Sequence, residues 1–172
     1  MLTLLLGIIV IVVELPRLRR AGGAGADRGS LILVLCSIFL ALGAILVLRS
    51  KPSIARELIG SAVLLAGFSL RTWAIRILGR HFSVKVALQE RHELVTSGPY
   101  ALLRHPAYTG LALELLGFGL GIAAWQGALA CLIVAPSLAY RIAVEERFLT
   151  AAMGERYKEY SARTARLIPW LL

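Results

Sequence analysis

Three charged residues directly follow a long apolar block and are candidates for chemistry. Arg141 and Glu145 are four residues apart, and Glu146 comes next. On a helix, residues at this spacing share one face. Ionisable groups beside a membrane segment are costly unless they face protein or a wet cavity, which makes them functional candidates. The alternative is an ordinary interfacial ion pair with Arg147 nearby, and the spacing alone does not separate the two.

A long polar stretch, residues 79–110, is the second candidate. It ends in SGPYALLRHPAYTG, where residues 97–99 predict a turn. His105 and Pro106 then begin the next helix, because proline is tolerated in a first turn whose amides lack helical partners. A loop of this length in a small domain is usually functional. Taken alone, His105 is better explained by capping or packing.

Motifs for several other chemistries are absent from the sequence. It contains no Walker A loop and no Gly-x-Gly-x-x-Gly between a strand and a helix. No HExxH or paired Cys-x-x-Cys indicates a metal, and no Gly-x-Ser-x-Gly indicates a serine nucleophile. Cys36 and Cys131 lie inside apolar blocks as small packing residues. We therefore expect no bound metal.

The composition places these candidates in a membrane protein. Hydrophobic residues make up 58% of the 172 residues and charged residues 17%, and the mean hydropathy is +0.77. A soluble domain carries about 45–50% apolar and about 25% charged residues, so a disordered chain, a coiled coil and an ordinary soluble enzyme are excluded. The 19 basic against 10 acidic residues give a net charge of +9. Because the basic residues lie between apolar blocks, we interpret them as topology signals and not as a nucleic-acid surface.

An all-α, polytopic membrane fold with five transmembrane helices is predicted. The first three helices cover residues 1–13 (extendable through Pro16), 30–48 and about 54–78. The block 111–140 has 30 residues and one charge, Glu114. As one helix it would be about 45 Å long, against a hydrocarbon core of about 30 Å. We therefore expect two helices in a hairpin, joined near residues 121–127, with Gly117, Gly119 and Gly121 allowing close backbone contact.

The basic residues also predict an orientation. They are concentrated in the first loop, in residues 79–104 and in the tail after Tyr140. The positive-inside rule makes that side cytoplasmic and the N-terminus external. The tail, 145–172, mixes charged and apolar residues at near-helical spacing and predicts an amphipathic helix on the cytoplasmic surface. The Ala-, Arg- and Leu-rich composition favours a prokaryotic inner or plasma membrane.

Three motifs together resemble the isoprenylcysteine carboxyl methyltransferase family. They are His92-Glu93-Leu94-Val95-Thr96-Ser97-Gly98-Pro99-Tyr100, Arg104-His105-Pro106-Ala107-Tyr108-x-Gly110 and Arg141-x3-Glu145-Glu146. The resemblance covers roughly residues 70–172, whereas the two helices within residues 1–50 resemble no particular family. We expect residues 1–172 to form a single membrane domain, with the methyltransferase core in residues 70–172.

The resemblance implies a membrane enzyme that transfers a methyl group from S-adenosylmethionine to a lipid-borne acceptor. It implies that Arg141 faces the acceptor. The implied cofactor-binding residues are Gln89, His92, Glu93, Leu94, Val95, Tyr100, His105, Pro106, Ala107, Tyr108 and Glu145. This agrees with the chemistry of S-adenosylmethionine, whose ammonium needs an acidic partner such as Glu145 and whose sulfonium is attracted to aromatic faces.

Two acceptor groups fit the catalytic candidates, Arg141 and Glu146. A carboxylate is already ionised at neutral pH and needs no base, so orientation supplies most of the rate. Arg141 would hold it through two donors. An amine must lose a proton, and Glu146 is the nearest candidate base.

The leading prediction is O-methylation of a lipid carboxylate of isoprenylcysteine type. The alternatives are a phospholipid amine N-methyltransferase, a membrane reductase that uses NADPH, and a non-catalytic transporter or scaffold. The expected partners are a lipidic or prenylated small-molecule acceptor and membrane lipid. We expect no nucleic acid and no obligate protein partner.

Overall fold

Six α-helices make up most of the part of the chain that the structure describes. The structure, a computed structural model, describes residues 1–20, 28–79 and 94–169, with the backbone alone at 15–20 and 28. The helices are α1 Leu2–Arg20, α2 Arg28–Val47, α3 Ile54–Leu78, α4 Pro106–Ala130, α5 Ala135–Met153 and α6 Glu155–Arg163. Two 3₁₀ turns, Gly98–Ala101 and Cys131–Val134, precede α4 and α5. The predicted all-α class is confirmed.

The apolar helices correspond to the predicted membrane segments. Within the described residues, three segments are long and apolar enough to cross a membrane: 29–47, 54–78 and 106–153. α1 adds a shorter apolar stretch, Leu2–Glu14, and continues as a helix to Arg20, beyond its predicted end. Large aliphatic and aromatic side chains on α1 and α2, such as Val12 and Phe39, are exposed. A continuous apolar surface of this kind fits contact with lipid, and the predicted polytopic fold is confirmed.

The segment 106–153 turns back on itself, as its length predicts. Ala123 and Ala124 leave helical geometry, with φ −125° and ψ 18° and with φ 53° and ψ −139°. Gly119 precedes this break and Gly127 follows it, and their backbones are in contact. A Cβ atom on either glycine would overlap the other's carbonyl group. Glycine is therefore required where the two arms meet. The predicted hairpin and its position within residues 121–127 are confirmed.

The most extensive helix pair joins α3 to α4. Gly60 lies against Gly117, and Gly67 lies against Gly110. A Cβ atom on Gly60 or Gly67 would come within 2.6 Å of the opposing carbonyl oxygen. Small residues let two membrane helices approach closely, and dispersion contacts then hold them together. This pairing fixes the first turns of α4, which carry several of the candidate site residues.

One end of the helix bundle carries the N-terminus, the α2–α3 connection and the hairpin turn. The Thr3 hydroxyl donates to the Glu57 carbonyl oxygen over 3.2 Å. The Ser50 amide donates to the Ile122 carbonyl oxygen, also over 3.2 Å. These contacts place the three chain segments side by side.

The opposite end, which we call the site end, carries two contacts between an arginine and a polar side chain of another helix. There Arg71 Nε lies 3.4 Å from Glu14 Oε2, and Arg141 Nη1 lies 2.7 Å from Ser30 Oγ. The first pair joins α3 to α1, and the second joins α5 to α2. The end of α1 and the start of α2 therefore lie beside α3 and α5 at this end of the bundle.

The tail differs from the single amphipathic helix that was predicted. α5 runs on to Met153 and ends at Gly154, whose φ of 58° lies in the left-handed region that favours glycine. The amphipathic helix is therefore short. It is α6, in which Tyr157 and Tyr160 are buried while Lys158 and other neighbours are exposed. The amphipathic tail helix is confirmed with bounds of 155–163.

Candidate active site

A hydrogen-bonded chain at the site end joins three of the predicted residues. Arg141 Nε donates to the Tyr108 hydroxyl over 3.1 Å, and that hydroxyl donates to Glu145 Oε2 over 2.9 Å. Arg141 and Glu145 lie one turn apart on α5, so a single hydroxyl from α4 reaches both. The predicted shared helix face is confirmed, and the Tyr108 hydroxyl bridges the two charged groups.

Arg141 and Glu145 differ in exposure. Arg141 is only 2% exposed, and its Nη1 donates to Ser30 Oγ over 2.7 Å. A buried guanidinium is costly unless polar partners compensate its lost hydration, and α4 and α2 each supply one. The Glu145 side chain is 32% exposed. Its carboxylate can therefore meet a solute.

His105 is packed between the two carboxylates that follow Arg141. Its side chain is 3% exposed, with Nδ1 4.0 Å from Glu145 Oε2 and Nε2 3.4 Å from Glu146 Oε1. The imidazole also stacks on the Tyr108 ring, with centroids 5.6 Å apart and planes 26° apart. His105 therefore contacts the site through side-chain packing as well as through its position ahead of α4.

Glu146 is held by two arginines. Arg104 Nε lies 2.8 Å from its Oε1, and Arg166 Nε lies 3.0 Å from its Oε2. Arg104 also donates to the carbonyl oxygens of Ser161 and Thr164. Two cationic donors favour the ionised carboxylate and occupy its lone pairs. Glu146 thus ties α5 to the tail.

Residues 164–167, which we call the tail strap, lie along the segment that precedes α4. The Arg104 amide donates to Ala165 O over 2.7 Å, and the His105 amide donates to Arg166 O over 3.1 Å. The Thr109 hydroxyl donates to Leu167 O over 2.7 Å. The strap therefore fixes the backbone from which His105 and the first turn of α4 project.

Two buried tyrosines support this segment. The Tyr160 hydroxyl donates to the Tyr100 carbonyl oxygen over 2.8 Å. Burial raises the pKa of Tyr160 to about 12. Burial also raises the pKa of Tyr100 above its ordinary value, and the negative charge of Glu145 adds to the effect. Both phenols therefore stay protonated near neutral pH, and Tyr160 remains a hydrogen-bond donor.

The structure brings together five of the predicted site residues: His105, Tyr108, Arg141, Glu145 and Glu146. Tyr100 is buried in the 3₁₀ turn ahead of α4. Pro106 is fully buried in the first turn of α4, and Ala107 beside it accepts a bond from Arg71 through its carbonyl oxygen. Leu94 and Val95 are half-buried ahead of the 3₁₀ turn. Gln89, His92 and Glu93 lie outside the described residues.

Sequence reasoning missed Ser30 and the roles of Arg104 and Arg166. Arg104 stands in the motif that begins α4, but its spacing gave no sign of a contact with Glu146, 42 positions later. Ser30 is 111 positions from its partner Arg141. An arginine directly after an apolar helix is costly to bury without polar neighbours, and this cost is the sequence feature that indicates such a partner.

The family assignment follows from residues 59–151, which match the model of the isoprenylcysteine carboxyl methyltransferase (ICMT) family. The chain belongs to this family. The match contains the α3–α4 pair, the hairpin and every group in the Arg141–Tyr108–Glu145 chain. The resemblance seen in the sequence motifs is confirmed.

Individual relatives carry the same family name. Protein-S-isoprenylcysteine O-methyltransferase B of Arabidopsis thaliana is 33% identical over 115 residues, which are 65% of this chain and 58% of that protein. The Schizosaccharomyces pombe protein-S-isoprenylcysteine O-methyltransferase is 33% identical over 106 residues, which are 60% of this chain and 45% of that one. The chain therefore spans about half the length of these relatives.

Other relatives differ in name. The cobalt-zinc-cadmium resistance protein CzcN of Cupriavidus metallidurans is 40% identical over 85 residues, which are 48% of this chain and 38% of that protein.

Among solved structures, the eukaryotic intramembrane Ras methyltransferase ICMT matches with a TM-score of 0.61 at 24% identity, over 94% of this chain and 60% of that one. At this identity the structural match establishes the ICMT-like fold, including the N-terminal helices.

Proposed function

We propose that this chain is an integral membrane methyltransferase that moves a methyl group from S-adenosylmethionine to the carboxylate of a lipid acceptor of isoprenylcysteine type. The observation that carries the proposal is the Arg141–Tyr108–Glu145 chain, a cationic and an anionic group bridged at one end of a lipid-facing helix bundle. A water-soluble donor and a lipid-borne acceptor can meet only at such a boundary.

The donor set fits S-adenosylmethionine, which supplies a methyl group activated by a sulfonium. Glu145 offers a partly exposed carboxylate for an ammonium, and the Tyr108 hydroxyl orients that carboxylate. The stacked rings of His105 and Tyr108 lie beside it. The roles that the family resemblance implies for Gln89, His92, Glu93, Leu94 and Val95 stay predictions.

A carboxylate acceptor agrees better than an amine with the charges at the site. An amine acceptor requires a base, and the candidate was Glu146. Its carboxylate is paired with Arg104 and Arg166, so accepting a proton would cost both interactions. A carboxylate needs no base, and Arg141 supplies the complementary charge. We assign Glu146 to holding the tail in place and Arg141 to orienting the acceptor.

We place the site end on the cytoplasmic side of a prokaryotic inner or plasma membrane, with the N-terminus external. The support is the excess of Lys and Arg in the sequence regions next to the site end. This orientation gives the site access to the water-soluble methyl donor inside the cell. Residues 1–172 would act as one membrane domain.

The test is methyl transfer by the purified chain in proteoliposomes. The assay offers methyl-labelled S-adenosylmethionine and, in separate reactions, one of three acceptors. The acceptors are farnesylated cysteine with a free carboxylate, the carboxamide of that compound, and phosphatidylethanolamine. The expected product forms only from the free carboxylate and releases labelled methanol in alkali, as a methyl ester does. Alkali-stable label in phosphatidylethanolamine would indicate an amine acceptor. No labelled product, together with NADPH oxidation by the same preparation, would indicate a reductase.

A further inference from the structure

We propose that Ser30 on α2 is a positioning residue that sets the orientation of the Arg141 guanidinium for the acceptor. This inference rests on the proposed function, because it assumes that Arg141 meets the acceptor. Ser30 lies outside the residues that match the family model, which begin at 59. It would give a helix without a recognisable motif an indirect part in the reaction, through Arg141.

The contact between these residues is short and buried. Arg141 Nη1 lies 2.7 Å from Ser30 Oγ, and the two residues are 2% and 1% exposed. The serine oxygen accepts a hydrogen bond from a charged donor, which makes the bond stronger than one between neutral groups. Competition from water is small because both groups are enclosed.

Ser30 and Tyr108 hold two different nitrogens of one planar group. Tyr108 accepts from Nε and Ser30 accepts from Nη1, so the two bonds together fix the guanidinium plane. In-line methyl transfer depends on the position of the attacking oxygen, and small displacements of a positioning group reduce the rate strongly. Ser30 therefore contributes through Arg141, without touching the acceptor itself.

α2 and α5 share a second serine contact that provides a matched control. Ser37 lies seven residues after Ser30 on α2, and its hydroxyl is 2.7 Å from the hydroxyl of Ser137 on α5. Ser37 and Ser30 therefore join the same two helices through the same kind of side chain. Only the Ser30 contact ends on a member of the Arg141–Tyr108–Glu145 chain.

The experiment compares Ser30→Ala, Ser30→Cys and Ser37→Ala with the unaltered protein in proteoliposomes. It measures kcat and KM for farnesylated cysteine, the Kd for S-adenosylmethionine and the Tm of each variant. Ser30→Ala should lower kcat/KM for the acceptor roughly tenfold, which corresponds to one lost hydrogen bond to a charged group. The Kd for S-adenosylmethionine should change less than about twofold, because Glu145 is untouched. Ser30→Cys, with a weaker acceptor of similar size, should lie between serine and alanine, and Ser37→Ala should keep full turnover.

The outcomes separate this inference from the proposed function. Full turnover in Ser30→Ala, or equal losses of turnover and Tm in Ser30→Ala and Ser37→Ala, would overturn the positioning role. If Ser30→Ala does not fold, Ser30→Cys decides, because unreduced turnover in that variant would overturn the role as well. The proposed function itself fails only if the unaltered protein methylates no carboxylate acceptor.

Discussion

The Tyr108 hydroxyl is the group whose removal tests the site most directly. It accepts from Arg141 over 3.1 Å and donates to Glu145 over 2.9 Å, while its ring stacks on His105. Tyr108→Phe removes both hydrogen bonds and retains the stacked ring. Any effect on turnover or binding is then an effect of the hydroxyl.

The expected size follows from the charges at both ends of the bridge. A hydrogen bond to a charged group contributes about 1.5–3 kcal/mol, and about 1.4 kcal/mol corresponds to a tenfold change. Losing the bond to Glu145 should raise the Kd for S-adenosylmethionine roughly tenfold. Losing both bonds should lower kcat/KM for farnesylated cysteine on the order of a hundredfold.

The assay needs a control tyrosine that is buried but carries no such bridge. Tyr157 is 3% exposed, and within the described part of the chain its hydroxyl is buried and has no hydrogen-bond partner. Tyr157→Phe removes a buried hydroxyl that makes no bond there, so it should leave kinetics and Tm nearly unchanged. If Tyr108→Phe keeps kcat/KM within about threefold of the unaltered protein, the bridge plays no part in catalysis and the reasoning fails.

Three further predictions concern the charges, the helix packing and the topology. Glu145→Gln should raise the Kd for S-adenosylmethionine, whereas Arg141→Ala should abolish turnover and leave that Kd nearly unchanged. If both variants instead lose Tm equally, and the effects on Kd and on turnover are not separated between them, Arg141 and Glu145 have only a structural role. Arg141→Lys should restore little activity, because an ammonium lacks the planar set of donors. Gly67→Ala should lower the Tm and the yield of folded protein, because the added methyl meets the carbonyl oxygen of Gly110 at 2.6 Å; an unchanged Tm would mean that the α3–α4 contact is looser than described. Lys158→Cys should resist an impermeant thiol reagent in intact cells and react after lysis, and labelling from outside would reverse the proposed orientation.

Much of the fold could be predicted from the sequence because lipid imposes simple limits on length and charge. The uncharged run at 111–140 is too long for one span, and the break at Ala123 and Ala124 falls within the predicted interval. Pro106 begins α4 as expected for a proline in a first turn. These features depend on local sequence and on bilayer thickness, both of which can be assessed without the structure.

The tail and the partners of Glu146 could not be predicted in the same way. The near-helical spacing of apolar residues continues past Met153, but the left-handed conformation of Gly154 ends α5 there. Arg104 and Arg166 approach Glu146 from 42 and 20 positions away. Such contacts depend on how the tail strap packs. The spacing of apolar residues within one helix does not predict contacts between segments that are far apart in the sequence.

The two N-terminal helices gain a role from the same electrostatic argument. Each supplies a polar partner to an arginine of the family core: Glu14 on α1 lies 3.4 Å from Arg71, and Ser30 on α2 lies 2.7 Å from Arg141. An arginine near lipid is costly unless it faces protein groups that satisfy its donors. A core that buries Arg141 is therefore stabilised by a neighbouring helix that places a small polar residue beside the guanidinium. Such a contact constrains one position on a helix, which explains why α2 contributes to the site without carrying a recognisable motif.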